Sequence, residues 1–179
     1  MVYLFLADGF EEVEALCPLD ILRRGGVNIK TVGIASRQVT GAHGIVVCAD
    51  LLPDEMTEVA DMLIFPGGMP GSVNLDASPV VDLWLKKAND STHLAAICAA
   101  PLVLGRRGLL QGKKAVCYPG FEEELKGAEI VCDAVITDGM ITTAIGMGAA
   151  HAFGLELLSL LKGHTIAEQV RLSAHIPNV

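Results

Sequence analysis

Aromatic side chains are scarce in this chain, with one tryptophan, two tyrosines and five phenylalanines among 179 residues. The core must therefore come from aliphatic packing, of the kind found in parallel α/β sheets covered on both faces. Basic charge is also short. Thirteen lysines and arginines face 21 acids, giving a formal net charge of −8, and the adjacent cations are only Arg23-Arg24, Arg106-Arg107 and Lys113-Lys114. That balance argues against a nucleic-acid surface. The five cysteines (17, 48, 98, 117 and 132) show neither Cys-x-x-Cys nor Cys/His zinc spacing. An odd count without paired spacing reads as free thiols in a reducing cytoplasm, with no metal site. Long uncharged apolar runs are missing too. Residues 2–7 are too few for a signal-peptide core, and the Gly- and Ala-rich stretch 142–161 carries His151 and Glu156, so it reads as a buried helix and not a membrane span. What remains is apolar bulk, with 51% hydrophobic and 19% charged residues. That suffices for a single domain over residues 1–179, without internal repeat or linker.

The order of elements follows from periodicity. Residues 2–7 are a continuous apolar run, as a strand covered on both faces requires, and 61–65, four apolar residues after Asp61, read as another buried strand. Between them, residues 11–24 carry acids at one end and arginines at the other, matching a helix dipole, with Pro18 inside and Gly25-Gly26 as the stop. Residues 27–34 form the next strand. This strand–helix–strand unit implies parallel pairing through a right-handed crossover. Residues 38–48, broken by Gly41 and Gly44, predict a hairpin added at the sheet edge. Helices are expected over 78–87, with Ser78 as cap and Pro79 first, after Cys98, over 147–161 and over 166–172. A short strand is expected at 113–118, and Asp138-Gly139 marks a hairpin between 134–137 and 140–144.

Chemistry concentrates where strands end. The run His93-Leu94-Ala95-Ala96-Ile97 stops at Cys98, and small residues, Pro101 and a helix-like segment follow. A thiol at the carboxyl edge of a strand and the amino end of a helix resembles the serine nucleophile elbow, although Gly-x-Ser-x-Gly is absent. Backbone N–H groups and the helix dipole there predict a depressed thiol pKa. Two more loops leave the same edge. Pro66-Gly67-Gly68 offers bare backbone for close approach and oxyanion donors, and no Gly-Lys-Ser/Thr follows to make a phosphate loop. The first loop brings Glu11, Glu12 and Glu14, of which Glu11 and Glu14 share a helix face and Glu12 turns away. A carboxyl beside a thiolate would be pressed to keep its proton, and spacing alone does not choose among the three.

Ala7-Asp8-Gly9-Phe10-Glu11-Glu12-Val13-Glu14, Pro18-Leu19-Asp20, Phe65-Pro66-Gly67-Gly68 and Ala95-Ala96-Ile97-Cys98-Ala99-Ala100-Pro101 occur in this order. Together they resemble the ThiJ/PfpI superfamily, in its branch of Parkinson-disease-associated deglycases. The resemblance implies a flavodoxin-like α/β fold, a doubly wound, mostly parallel sheet between helices, in a homodimer. It implies that Cys98 is the reactive cysteine, often found as a sulfinate, and that Glu14 is the protonated glutamate bonded to it. Gly68 and the Ala99 N–H match the oxyanion donors, with Gly67 beside them. Cys48 and Arg24 match positions near the subunit interface. No cofactor is implied. One departure stands out: where the branch has a histidine before a proline beside the cysteine, this chain has Tyr118-Pro119. A tyrosine, with pKa about 10, suits hydrogen-bond donation better than proton acceptance at neutral pH. The residue after the cysteine is Ala99 and not histidine, which speaks against a peptidase triad.

The expected function is a cysteine-dependent, glyoxalase III- or deglycase-like reaction on a small carbonyl substrate, a reactive dicarbonyl or its adduct. The alternative is an oxidative-stress sensor or redox chaperone in which Cys98 becomes a sulfinate without turnover. Neither nucleic acid nor membrane is an expected partner.

Overall fold

In the computed structural model, residues 1–177 are described. The chain lays down β1 (Val2–Leu6), α1 (Glu12–Arg24), β2 (Ile29–Gly33), β3 (Gln38–Thr40), β4 (Val46–Cys48) and β5 (Met62–Phe65). It continues through α2 (Gly71–Asp76), α3 (Pro79–Lys87), β6 (His93–Ile97), α4 (Pro101–Gly105), β7 (Lys114–Ala115) and β8 (Glu129–Ile130). β9 (Val135–Asp138), β10 (Ile141–Ala144), α5 (Ala150–Lys162) and α6 (His164–Ser173) complete it. Six strands form one sheet in the order β2-β1-β5-β6-β10-β9, parallel except for β9, which pairs antiparallel with β10.

Both faces of this sheet are covered, which is why its inner strands read as unbroken apolar runs. Val2, Leu4 and Leu6 of β1 point into the same layer as Met62, Ile64, Ala95 and Ile97, under α1, α5 and α6. Tyr3, Phe5, Leu63, Phe65, Leu94 and Ala96 point the other way, under α2, α3 and α4. The doubly wound, mostly parallel α/β architecture expected from the sequence is present. The chain leaves β1 for β2 on one side and returns to β5 on the other. This reversal opens a crevice at the carboxyl ends of β1 and β5, the place where such sheets bind ligands.

Three local outcomes differ from the sequence reading. A proline inside a helical pattern predicts a kink or a later start of the regular part, yet α1 runs unbroken through Pro18. The 38–48 hairpin forms a separate two-stranded sheet, β3-β4, while the edge strand β2 receives a single parallel bridge from Leu51 to Val32. The chain turns sharply after β2 because Gly33 has no side chain; a Cβ there would strike the Ser36 carbonyl. The hairpin then swings over the crevice and ties to the first loop, Gly9 N–H donating to the Thr40 carbonyl at 2.8 Å and Ala42 N–H to the Phe10 carbonyl at 2.7 Å. Finally, the segment after Pro66-Gly67-Gly68, for which the sequence predicts no element before Ser78, holds the short helix α2. Among the described residues no helix is long and apolar enough to cross a membrane.

Candidate functional site

Cys98 directly follows β6 and has φ 65°, one of two non-glycine residues with positive φ among those described. A left-handed residue at the end of a parallel strand is the strained geometry of an elbow, and such strain clusters at functional sites. The sulfur is half-buried, and the backbone N–H groups of Gly68 and Ala99 face it.

The three glutamates separate cleanly. Glu11 caps α1, its Oε2 accepting from Glu14 N–H at 2.7 Å. Glu12 is buried and turned toward the hairpin, accepting from His43 N–H and pairing with His43 Nδ1, both at 2.7 Å. Glu14, 1% exposed, enters the crevice, where its Oε2 accepts from Gly67 N–H at 3.0 Å. The carboxyl lies beside the Cys98 thiol, with Met147 N–H also turned toward it. A Cβ at Gly67 would fall 2.6 Å from Cys98 Cβ and against Glu14 Oε2. The glycine is what lets acid and thiol meet. Its own N–H serves Glu14, which leaves Gly68 and Ala99 as the donors on the sulfur side.

The electrostatics overturn the expectation of a depressed thiol pKa. Burial and the adjacent Glu14 carboxylate push the Cys98 thiol up to about 12, against the smaller downward pull of Gly68 and Ala99 N–H. Burial also pushes Glu14 up to about 7. Burial is the first cause of both rises, and the pair is then split unequally: the hydrogen bond with Cys98 draws Glu14 down, while the Glu14 carboxylate drives the thiol further up. The pair thus loses its first proton near neutrality and holds the second far above it. The sequence displayed the strand end and the helix end but not the desolvation that outweighs them. Cys17 and Cys117 are pushed up by burial to about 11.

Tyr118 stands at the rim, half its surface exposed, and its N–H donates to the Cys98 carbonyl at 2.8 Å. Its ring lies over Gly146, where a Cβ would sit 3.3 Å from Cδ2 of the ring and 3.8 Å from Glu14 Oε1. Sequence reasoning misses Gly146 and Met147; only their place in the loop leading to α5, a Gly-rich stretch, hints at them. Donor atoms of Glu11, Glu12 and His43 lie within 4.8 Å of one another. Their lone pairs already serve the α1 cap and the hairpin. Arg24 is exposed and paired with Asp20 at 2.6 Å, and Cys48 is exposed on β4; neither reaches the crevice residues.

A profile of the DJ-1/PfpI family matches residues 1–160. The protein DJ-1 homolog B of Arabidopsis thaliana is 39% identical over 170 residues, 92% of this chain but 39% of that relative, so the chain spans about two fifths of its length. A protein named deglycase from Pyrococcus abyssi is 30% identical over 90% of this chain and 99% of its own. In structure, a cysteine-to-alanine mutant of a DJ-1 superfamily protein from Salmonella typhimurium superposes with a TM-score of 0.93 at 32% identity, covering 99% of this chain and 98% of that one.

Proposed function

This chain belongs to the DJ-1/PfpI family, and from that premise we propose that it is a cysteine-dependent enzyme of glyoxalase or deglycase type, acting on reactive dicarbonyls or their adducts. One observation carries the reading: a buried carboxyl and a thiol share the crevice with one proton to exchange near pH 7. A carboxylate beside a thiol takes its proton as sulfur attacks, and a protonated carboxyl beside a thiolate has already done so; either form delivers a nucleophilic sulfur.

With methylglyoxal, the Cys98 sulfur bonds to the aldehyde carbon and the carbonyl oxygen gains a proton, giving a hemithioacetal. Gly68 and Ala99 N–H groups are positioned to hold the developing oxyanion. Glu14, as carboxylate, then removes the proton from that carbon and returns it to the neighbouring one, while the hydroxyl proton passes to the ketone oxygen, turning the adduct into a thioester of lactate. Water hydrolyses the thioester and frees the thiol. The half-exposed Tyr118 ring closes one side of the mouth. The deglycase name of the Pyrococcus relative supports this substrate class. Loss of methylglyoxal with appearance of lactate is the test: the rate vanishes in Cys98→Ser, whereas equal rates in the two proteins would refute the reading.

The working unit is a homodimer in the reducing cytoplasm, where five free cysteines persist. The support is an exposed apolar strip of Val13 on α1 with Ile45 and Val46 (58% exposed) on the hairpin, elements joined by the Glu12–His43 pair. Arg24 and Cys48 lie on the same two elements, Arg24 at the far end of α1 and Cys48 at the end of β4.

A further inference from the structure

A second cavity lies at the far end of the sheet from Cys98. It has a volume of about 490 Å³, and the first residues of β1, β5 and β6 (Val2, Met62 and His93) form its floor, with Met140, Leu160 and Leu161 as apolar wall. This volume is in the range of small-molecule sites, which pair apolar walls with a few fixed polar groups.

The polar group is His93, 5% exposed and facing the α5 side of the sheet. Its Nε2 lies 2.8 Å from Thr142 Oγ1; Thr142 Oγ1 lies 2.8 Å from Thr137 Oγ1; Thr137 Oγ1 lies 2.8 Å from Glu156 Oε1. The direction of every bond in this chain is fixed by its end. A carboxylate only accepts, so the Thr137 hydroxyl donates to Glu156. With that proton in use, Thr137 oxygen accepts from Thr142, and Thr142 oxygen in turn accepts from His93 Nε2–H. Nδ1 is therefore left as a bare lone pair, and it has no hydrogen-bond partner among the described residues. Burial holds the imidazole below its usual pKa, so the ring is neutral at neutral pH. At the mouth, the charged side chains of Asp61 and Lys162 also line the cavity.

We propose that this cavity is a second small-molecule site, taking a ligand with an apolar body and an O–H or N–H group that donates to His93 Nδ1. The His93–Thr142–Thr137–Glu156 relay presets the tautomer, so a donor is accepted and a molecule without one gains nothing at that end. The site is independent of the Cys98 chemistry, and Cys98→Ser retains it.

The probes are m-cresol, which carries an O–H donor, and 3-methylanisole, which does not, titrated into the folded chain at pH 8 and followed by NMR. m-Cresol is expected to bind about threefold to tenfold more tightly, the worth of one net hydrogen bond. His93→Phe abolishes that preference while apolar binding remains. In the wild type, ¹⁵N shifts show His93 Nδ1 unprotonated in the free protein and moving when m-cresol is added. Equal affinities, a preference that persists in His93→Phe, or a protonated Nδ1 in the free protein would each overturn the proposal. The wild-type nitrogen shifts decide the matter even if the variant does not fold.

Discussion

At the scale of single residues, the chemistry rests on Glu14, whose carboxyl is raised from 4.5 to about 7 by burial. Below pH 4.5 both folded and unfolded chains hold this proton. As pH climbs through 7 the unfolded chain has already released it, so the stabilisation present in acid is lost by about pH 7 and stays lost above. Glu14→Gln keeps an acceptor for Gly67 N–H but removes the charge. It is expected to raise stability at pH 8, by at most on the order of 3 kcal/mol, with the gain shrinking toward zero at pH 4. Urea melts of both proteins at the two pH values check this, and a variant less stable than wild type at pH 8 contradicts it. Much of this residue-level picture is legible in the sequence. Helical spacing sets Glu12 apart from Glu11 and Glu14, and the family resemblance selects Glu14. What the sequence withholds is the opposing force on the thiol. Cys98 sits at a helix start as expected, yet burial first and the nearby Glu14 carboxylate second drive its pKa upward, and only three-dimensional packing reveals that.

At the scale of elements, the site depends on α1 holding Glu14 against the sheet, and α1 in turn packs on α5 across Gly154. A Cβ at Gly154 would lie 2.9 Å from Ile21 Cδ1 and 3.0 Å from Pro18 Cα. The second of these is backbone, so the helices must part to admit a methyl group. Gly154→Ala is expected to cost about 1–3 kcal/mol in chemical denaturation and to lower the methylglyoxal rate, because displacing α1 displaces Glu14. Unchanged stability would show that the helix pair has slack the structure does not display. The long aliphatic strands and α1 are readable because covered strands and dipole-matched helices leave strong patterns. α2 is not, since its six residues follow a Pro- and Gly-rich loop and offer too short a window for periodicity. The two-residue strands β7 and β8 are equally short, so 113–118 yields only two strand residues and β8 leaves no pattern at all. The hairpin is recognisable from its glycines, but its departure from the main sheet depends on the close turn at Gly33, which no local pattern encodes.

At the scale of the whole molecule, the scarcity of aromatics and the unbroken aliphatic runs imply a sheet covered on both faces, and its switch point locates the crevice. Assembly is the next level. The Val13, Ile45 and Val46 strip predicts a species of about twice the 18.8 kDa chain mass in light scattering, and Val46→Lys is expected to shift it to monomer; a wild-type monomer would refute the dimer. The central claim remains the proton shared by Cys98 and Glu14, and the pH dependence of Cys98 alkylation by iodoacetamide tests it most directly, read by mass spectrometry on the Cys98 peptide. A midpoint well above the ordinary thiol value of about 8.5 is predicted in the wild type, because burial and the Glu14 carboxylate hold the thiol up. In Glu14→Gln the midpoint moves downward, since the carboxylate that raises the thiol is gone. A common midpoint for the two proteins would mean that the sulfur titrates without the acid, and would contradict a shared proton.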